Sequence, residues 1–171
     1  MRGNRGPLAD QQTLMGVEQD LATSDDRYTP HWIFEGLGLT FDIDVAAPPG
    51  GVPWIPAKRY FTQRDDGLAQ PWKGLVWCNP PFSGVGPWVN KFIRHANGLL
   101  LVPIAKASWF APALNSADLV WFDNGNRSFF VKADGTLTCI LFSVAILAIG
   151  EQAASGLYNL RDAGALLSPV D

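Results

Sequence analysis

The chain has few of the residues on which disulfide-bonded and metal-binding proteins depend. It contains two cysteines and two histidines in 171 residues, and neither histidine has a cysteine close to it in the sequence. Disulfide frameworks and zinc sites need several such residues at short spacings. We therefore expect Cys78 and Cys139 to be reduced, buried thiols in a cytoplasmic protein, and we expect no metal.

Long apolar segments are also missing. The longest, residues 139–149, is interrupted by Ser143 and is shorter than the roughly 20 apolar residues that a membrane-spanning helix needs. Arg2 and Arg5 stand near the start, but no apolar segment follows them, so the sequence predicts no signal peptide. We therefore expect no membrane partner.

Positive charge is not in excess either. Lysine and arginine number 13 against 16 aspartates and glutamates, which gives a net charge of −3. Most nucleic-acid-binding proteins have an excess of positive charge, so the overall charge does not support nucleic-acid binding. Only a local basic patch could provide it. No G-x-G-x-x-G pattern is present, so no dinucleotide-binding site is predicted.

Hydrophobic and aromatic residues are abundant. The chain is 47% hydrophobic and 17% charged, and its length suits one domain with a substantial core. It contains seven Trp and ten Phe, so we expect some of them to line a pocket or a surface. Residues 1–20 are polar and weakly patterned. We expect them to form a flexible arm, and residues 21–171 to form the domain.

Two helices are predicted from prolines that suit a first helical turn. Pro30 precedes the apolar residues of 31–37, and Thr29 before it suits the N-cap. Capping alone would account for a threonine at this position. Pro87 begins a second predicted helix over residues 87–96.

The strand patterns predict an α/β sheet. Residues 39–47 alternate apolar and acidic side chains, and residues 99–104 form a continuous apolar run that suits a strand buried on both faces. Residues 127–131 and 138–149 are expected to pair as antiparallel strands across a turn. The sequence therefore predicts one α/β domain with an open, mostly parallel sheet and an antiparallel edge.

The segment LVWCNPPF, residues 75–82, joins a predicted strand to an amide, two prolines and an aromatic ring. Neither Pro80 nor Pro81 has a backbone N–H, so the strand stops at Asn79 and nearby carbonyls stay unclaimed. Asn79 and a backbone carbonyl can together accept both hydrogens of an exocyclic amine, and Phe82 can stack on a flat heterocycle. A simple Asn-Pro turn is the alternative.

Two acidic side chains precede this segment at the ends of predicted elements. Asp44 ends a strand and is followed by small residues from Ala46 onward, which let a ligand approach the backbone. It is placed to accept hydrogen bonds from a ligand amine or hydroxyl. Asp66 lies in an Asp-Gly turn. A solvated strand edge and a routine turn are the plain alternatives.

Taken in this order, the motifs resemble the phage-type, Dam-like DNA N6-adenine methyltransferases. The resemblance covers roughly residues 24–147. It is carried by Tyr28-Thr29-Pro30, residues 41–47, Tyr60-Phe61-Thr62, Asp66-Gly67-Leu68 with Trp72, Asn79-Pro80-Pro81-Phe82 with Trp88, Val102-Pro103, Trp109-Phe110 and Arg127. It implies a Rossmann-like methyltransferase fold and a site-specific adenine methyltransferase of phage or restriction-modification systems, working in the cytoplasm of a bacterial host.

The resemblance also implies a role for each motif. The catalytic residues would be Asn79, Pro80, Pro81 and Phe82. The cofactor S-adenosylmethionine would contact Tyr28, Thr29, Pro30, Asp44, Ala46, Asp66 and Leu68. Asp66 would accept a hydrogen bond from the cofactor's adenine amine. The family often has Tyr where Phe82 stands and Arg where Lys106 stands, so this chain departs from the pattern at both positions.

The implied substrate is an adenine flipped out of double-stranded DNA. Hydrogen bonds from its N6 to Asn79 and to the Pro80 carbonyl would localise the nitrogen lone pair, and positioning would supply most of the acceleration. Lys106 and Arg127 are predicted to contact DNA phosphates, although an ordinary solvated charge is the plainer interpretation of each.

Two other functions fit the same residues. An Asn-Pro-Pro-aromatic site also suits adenine in RNA or a protein glutamine amide, because both present a planar amine or amide. A catalytically silent domain that binds DNA or another partner is the second alternative. The intact Asn79, Asp44 and Asp66 argue against a silent domain.

Overall fold

The computed structural model describes residues 27–124, 130–132, 135–138 and 143–169. The expected arm at residues 1–20 lies outside these ranges, as do Cys139 and Arg127, so what was predicted for them stays a prediction. Within the described ranges, no helix is long and apolar enough to cross a membrane.

The described part of the chain contains helices and strands in alternation. The helices are α1 His31–Leu37, α2 Val85–His95, α3 Phe110–Ser116 and α4 Glu151–Tyr158, with a 3₁₀ turn, Phe82–Gly84, before α2. The strands are β1 Ile43–Asp44, β2 Val76–Cys78, β3 Gly98–Pro103, β4 Leu119–Asp123, β5 Phe130–Val131, β6 Leu137–Thr138, β7 Val144–Ile149 and β8 Gly164–Leu167.

Helix α1 has the predicted bounds, but its start differs from the prediction in one respect. Pro30 is the N-cap with an extended backbone, and no side chain caps the helix, so the predicted capping role of Thr29 is wrong. The helix ends at Gly38, which adopts a φ of 62° and donates its N–H to the carbonyl of Phe34.

The main sheet has the strand order β1-β2-β3-β7-β4-β8. β1 pairs with β2 and β2 with β3 in parallel, whereas β7 is antiparallel to both of its neighbours and β8 is antiparallel to β4. Strands β1, β2, β3 and β4 therefore share one direction. The predicted α/β class with a mostly parallel sheet and an antiparallel edge is confirmed at this level.

Strand β7 has different partners from those predicted. Residues 130–131 pair with residues 137–138 in a separate two-stranded sheet, whereas β7 lies between β3 and β4. Residues 144–148 are at most 1% exposed. A strand so uniformly apolar is stable only with sheet neighbours on both sides and cover on both faces, which the interior of the main sheet provides.

Strand β1 is shorter than the predicted strand over residues 39–47. Only Ile43–Asp44 pairs with β2, at residues 76–77. β2 is three residues long, and it stops before Asn79 because the following prolines have no N–H for a ladder. The two parallel strands therefore end side by side, and irregular chain follows both.

The two faces of the sheet pack against different helices. Trp77, Leu99 and Leu101 belong to a buried cluster that includes residues of α1 and α4. Val76 and Leu100 belong to a second cluster with residues of α2 and α3. Successive strand residues point to opposite faces, so helices cover both faces and leave the strand ends open.

Candidate active site

A cavity of about 350 Å³ lies where β1 and β2 end. These strands are parallel neighbours, so their carboxyl ends meet at one edge of the sheet, where α/β proteins commonly bind ligands. The lining residues come from the ends of β1 and β2, from the irregular chain around them and from helix α2: residues 27–29, residues 44–49, Val52, Ile55, Thr62, Gln63, Asp66, Gly67, Trp77, Asn79, Pro81 and Trp88.

The cavity brings together much of the predicted site. Seven predicted residues line it: Tyr28, Thr29, Asp44, Ala46, Asp66, Asn79 and Pro81. Four others are chain neighbours of lining residues without lining the cavity themselves: Pro30, Leu68, Pro80 and Phe82. Lys106 is exposed beyond the carboxyl end of β3, on the same edge of the sheet, and Arg127 lies outside the described residues.

Two buried polar atoms of cavity-lining residues have no hydrogen-bond partner in the described part of the chain. They are the hydroxyl oxygen of Thr29 and the indole Nε1 of Trp77, both in residues that are 0% exposed. Leaving a buried polar group unpaired costs ~1–3 kcal/mol, so native proteins rarely do so. Each of these atoms therefore has unused capacity for a hydrogen bond at the wall of the cavity.

Asp44 is a buried carboxyl group at the cavity. It is 4% exposed, and its Oδ1 accepts the backbone N–H of Ala46 at 3.2 Å. Burial raises the pKa of Asp44 to about 7, and the Ala46 hydrogen bond opposes this shift. No salt bridge among the described residues includes Asp44. Its carboxyl group therefore exchanges a proton near neutral pH and has capacity for a ligand hydrogen bond.

The loop that carries Asp66 packs directly on the chain that follows β1. A Cβ atom at Gly67 would lie 2.1 Å from the carbonyl oxygen of Val45, so a larger residue there would force the backbone to shift. Asp66 adopts a φ of 53°, and its Oδ1 accepts the N–H of Ala69 at 3.3 Å. Asp66 is exposed, so its carboxylate is accessible where it lines the cavity.

The amide of Asn79 is held by the chain before α1. Its Nδ2 donates to the carbonyl oxygen of Arg27 at 3.3 Å, and its Oδ1 accepts no hydrogen bond from the described residues. No backbone N–H in the described ranges donates to the Pro80 carbonyl. Two unclaimed acceptors therefore follow β2 in direct succession, as the prolines led us to expect.

Phe82 does not line the cavity. Its ring is 7% exposed and meets the ring of Phe130 edge to face, with the centroids 6.1 Å apart. The aromatic residues that line the cavity are instead Tyr28, Trp77 and Trp88. Stacking on a ligand would require the Phe82 ring to turn away from Phe130.

Several lining residues were not predicted for the site. Arg27 directly precedes Tyr28 and Trp77 stands two residues before Asn79, so nearness in sequence was an available signal for both. Val52 and Ile55 reach the cavity through tertiary packing alone. Their segment is tied to the site where the indole Nε1 of Trp54 donates to the Thr29 carbonyl at 2.9 Å. That contact joins residues 25 positions apart, so it cannot be predicted from the local sequence pattern.

Metal and thiol chemistry have little support in the described ranges. No group of three or more His, Cys, Asp or Glu side chains there could hold a metal ion. Cys78 is a buried free cysteine, and burial, with the nearby charge of Asp44, raises the pKa of its thiol well above the ordinary value. A thiol in such surroundings is a weak nucleophile.

The fold and the cavity define an α/β protein whose site lies at the ends of parallel strands, an arrangement compatible with a methyltransferase. Residues 18–139 match the family described as DNA N-6-adenine-methyltransferase (Dam). This match spans well over half of the chain, so the chain belongs to that family, and the resemblance noted in the sequence is confirmed. No curated protein and no solved structure matches the chain.

Proposed function

We propose that this chain transfers a methyl group from S-adenosylmethionine to N6 of an adenine flipped out of double-stranded DNA. The observation that carries the proposal is the pair of unclaimed acceptors, the Asn79 Oδ1 and the Pro80 carbonyl. Because the Asn79 Nδ2 already donates to the Arg27 carbonyl, the Asn79 Oδ1 is the side-chain atom left to accept a hydrogen bond from a substrate.

These acceptors suit the exocyclic amine of adenine. The lone pair of that nitrogen is delocalised into the ring, so the nitrogen is a poor nucleophile. Hydrogen bonds from its two N–H groups to the Asn79 Oδ1 and the Pro80 carbonyl draw it toward tetrahedral geometry and localise the pair. No strong base is needed before methyl transfer, and positioning supplies most of the acceleration.

The residues around the cavity fit S-adenosylmethionine. A volume of about 350 Å³ lies within the range of small-molecule sites. The unpartnered Thr29 hydroxyl and the Asp44 carboxyl suit the polar amino-acid and ribose groups, and the Asp66 carboxylate suits the adenine amine. When bound, the cofactor supplies an electrophilic methyl group. The other proposed contacts are Tyr28, Pro30, Ala46 and Leu68.

Contact with DNA is proposed for residues outside the cavity. A stacked adenine cannot reach a site of this kind, so the base must leave the duplex. Phe82 is proposed to stack on the flipped base after turning from Phe130, with Pro81 lining the cavity beside it. Lys106, which is exposed, and Arg127 are proposed to contact phosphates.

The finer classification also belongs to this proposal. We assign residues 21–171 to one Rossmann-like methyltransferase domain, supported by the parallel order β1-β2-β3 and the family match. We place the enzyme in the cytoplasm, that of a bacterial host if a phage encodes it. There its methylation would protect DNA from restriction.

The function is tested by mapping N6-methyladenine with long-read sequencing, in a host that lacks its own adenine methylation. Wild-type protein should methylate a defined DNA motif. Asn79→Ala should abolish methylation while retaining S-adenosylmethionine binding in calorimetry. Asn90→Ala is the matched control, because Asn90 is exposed on α2. Full methylation by Asn79→Ala contradicts the proposal. Methylation of host RNA or protein in place of DNA would show that the substrate is not DNA.

A further inference from the structure

The ammonium group of Lys91, on helix α2, is surrounded by backbone carbonyls of the loop that carries Asp66. It donates to the carbonyl oxygens of Gly67 at 3.2 Å and Leu68 at 2.6 Å, and to that of Gln70. A lysine has three N–H donors and no acceptor. All three donors are therefore engaged, and Lys91 has none left for a DNA phosphate.

A second side chain holds the same loop. The indole Nε1 of Trp72 donates to the Gly67 carbonyl at 2.8 Å, and the Lys91 ammonium lies 5.0 Å from the centroid of the Trp72 ring. Trp72 in turn stacks on Trp88, with the centroids 6.2 Å apart and the planes 26° apart. Because Trp88 lines the cavity, these contacts link the loop to the cavity wall.

The loop also has hydrogen bonds of its own, from Gln70 Nε2 to the Asp65 carbonyl at 2.7 Å and from the N–H groups of Ala69 and Gln70 to the Asp66 carbonyl, whereas the Lys91 contacts come from a separate helix. Asp66 and Ala69 are exposed, and Asp66 adopts a left-handed backbone conformation that a residue with a side chain rarely takes. Gly67 packs against the Val45 carbonyl, so a small displacement of the loop changes the cavity directly. Partial burial lowers the pKa of Lys91, the charge of Asp66 opposes this shift, and the charge of Arg94 adds to it.

We propose that Lys91 is a positioning residue that fixes the loop so that Asp66 distinguishes the base of the cofactor. The inference rests on the proposed function. Lys91 does not touch the ligand. It fixes the positions of the carbonyls of residues 67, 68 and 70, and thereby the position of the Asp66 carboxylate. That carboxylate accepts a hydrogen bond from an exocyclic amine and repels a carbonyl oxygen at the same position.

The test measures base preference by calorimetry with S-adenosylhomocysteine and S-inosylhomocysteine, which carries an oxygen in place of the amine. The wild type should prefer the adenine compound by roughly tenfold or more, the size expected of one hydrogen bond to a charged group. Lys91→Met should reduce this preference to less than about threefold while retaining measurable binding of both compounds. Lys73→Met, an exposed lysine outside the site, should keep the wild-type preference.

A second variant keeps the test decisive if Lys91→Met does not fold. Trp72→Phe keeps an aromatic ring and removes the indole N–H that is the other donor to the Gly67 carbonyl, so it should reduce the preference by a smaller factor. An unchanged preference in the variants, or an equal loss of affinity for both compounds, overturns the role of Lys91. A wild-type protein that binds neither compound contradicts the proposed function itself, whatever the variants do.

Discussion

The side-chain Nδ2 of Asn79 donates to the backbone carbonyl of Arg27 at 3.3 Å, although the two residues stand 52 positions apart in the chain. This bond joins the segment after β2 to the segment before α1. The first of these segments carries the proposed substrate acceptors, and the second leads directly into the proposed cofactor residues Tyr28 and Thr29. The orientation of the proposed catalytic amide is therefore tied to the placement of the proposed cofactor residues.

Replacing Asn79 with Asp tests this tie, because it keeps an oxygen acceptor and removes the N–H that holds it. We expect the rate of DNA methylation to fall about a hundredfold, the cost of misplacing a reacting group by about 1 Å. Initial rates of tritiated methyl transfer from S-adenosylmethionine measure the effect. Asn90→Asp adds the same charge at an exposed position and should keep the wild-type rate. A wild-type rate in Asn79→Asp would show that the amide needs no anchor.

Asp44 sets an expectation for the pH dependence of stability. Its pKa rises from an ordinary 3.8 to about 7 in the folded protein. Between these values the folded state binds more protons than the unfolded state, so the free energy of unfolding falls as the pH rises. The shift corresponds to a loss on the order of 4 kcal/mol across the interval. Asp44→Asn should remove most of this slope.

Urea unfolding at several pH values within that interval measures the slope. Asp42→Asn is the matched control, because Asp42 is paired with Lys58, whose hydrogen bond lowers the pKa of Asp42. A lowered pKa affects stability only below the ordinary value of 3.8, so this control should keep the wild-type slope. An Asp44→Asn protein with an unchanged slope would mean that another group is responsible.

Gly67→Ala should damage the site through backbone contact. Its new Cβ would meet the Val45 carbonyl oxygen at 2.1 Å and the Trp88 ring at 3.1 Å. We expect the free energy of unfolding to fall by ~1–3 kcal/mol, as for other overpacked positions, together with weaker S-adenosylhomocysteine binding. Gly84→Ala is the control, since nothing lies within 4 Å of a Cβ at Gly84. Equal stability of the two variants in urea would contradict the packing argument.

Thr29→Val separates a ligand contact from a structural one. Valine has a similar shape and lacks the hydroxyl that is unpaired in the described structure. The ligand-free protein should keep its stability or gain about 1 kcal/mol, while affinity for S-adenosylhomocysteine should fall roughly tenfold. Thermal unfolding and calorimetry measure the two effects, with exposed Thr40→Val as the control. Reduced stability with unchanged affinity would assign the hydroxyl to the fold.

Local chemistry explains which parts of the fold could be predicted from the sequence. Helix α1 lies between Pro30 and Gly38. Proline restricts the backbone at its own position, and glycine permits the left-handed conformation that ends the helix. The end of β2 was predictable for the same reason, because Pro80 and Pro81 lack an N–H. The position of β7 was not predictable, since its burial pattern suits any interior strand and its neighbours are chosen by tertiary packing.

The same distinction holds for the site. Asp44 and Asn79 could be placed at one edge of the sheet because Asp44 ends a strand, Asn79 follows another, and the carboxyl ends of parallel strands meet. The unpaired hydroxyl of Thr29 and the carbonyl contacts of Lys91 could not be predicted, because they depend on contacts made or missing in three dimensions. A threonine just before a helix is a common N-cap residue, but the Thr29 hydroxyl makes no cap and is unpaired in the described structure. A lysine on a helix is usually solvated, but the ammonium group of Lys91 donates to three backbone carbonyls.

The place of β7 has a consequence for how the protein is made. β3 and β4 are joined in the sheet through β7, which comes after both of them in the chain. The family match ends at residue 139, before β7 begins at Val144. A fragment cut at that boundary would hold β3 and β4 with unpaired edges, which invites aggregation. During synthesis β7 can join β3 to β4 only after residue 149 has left the ribosome, so the nascent chain carries these two strands without the strand between them until then.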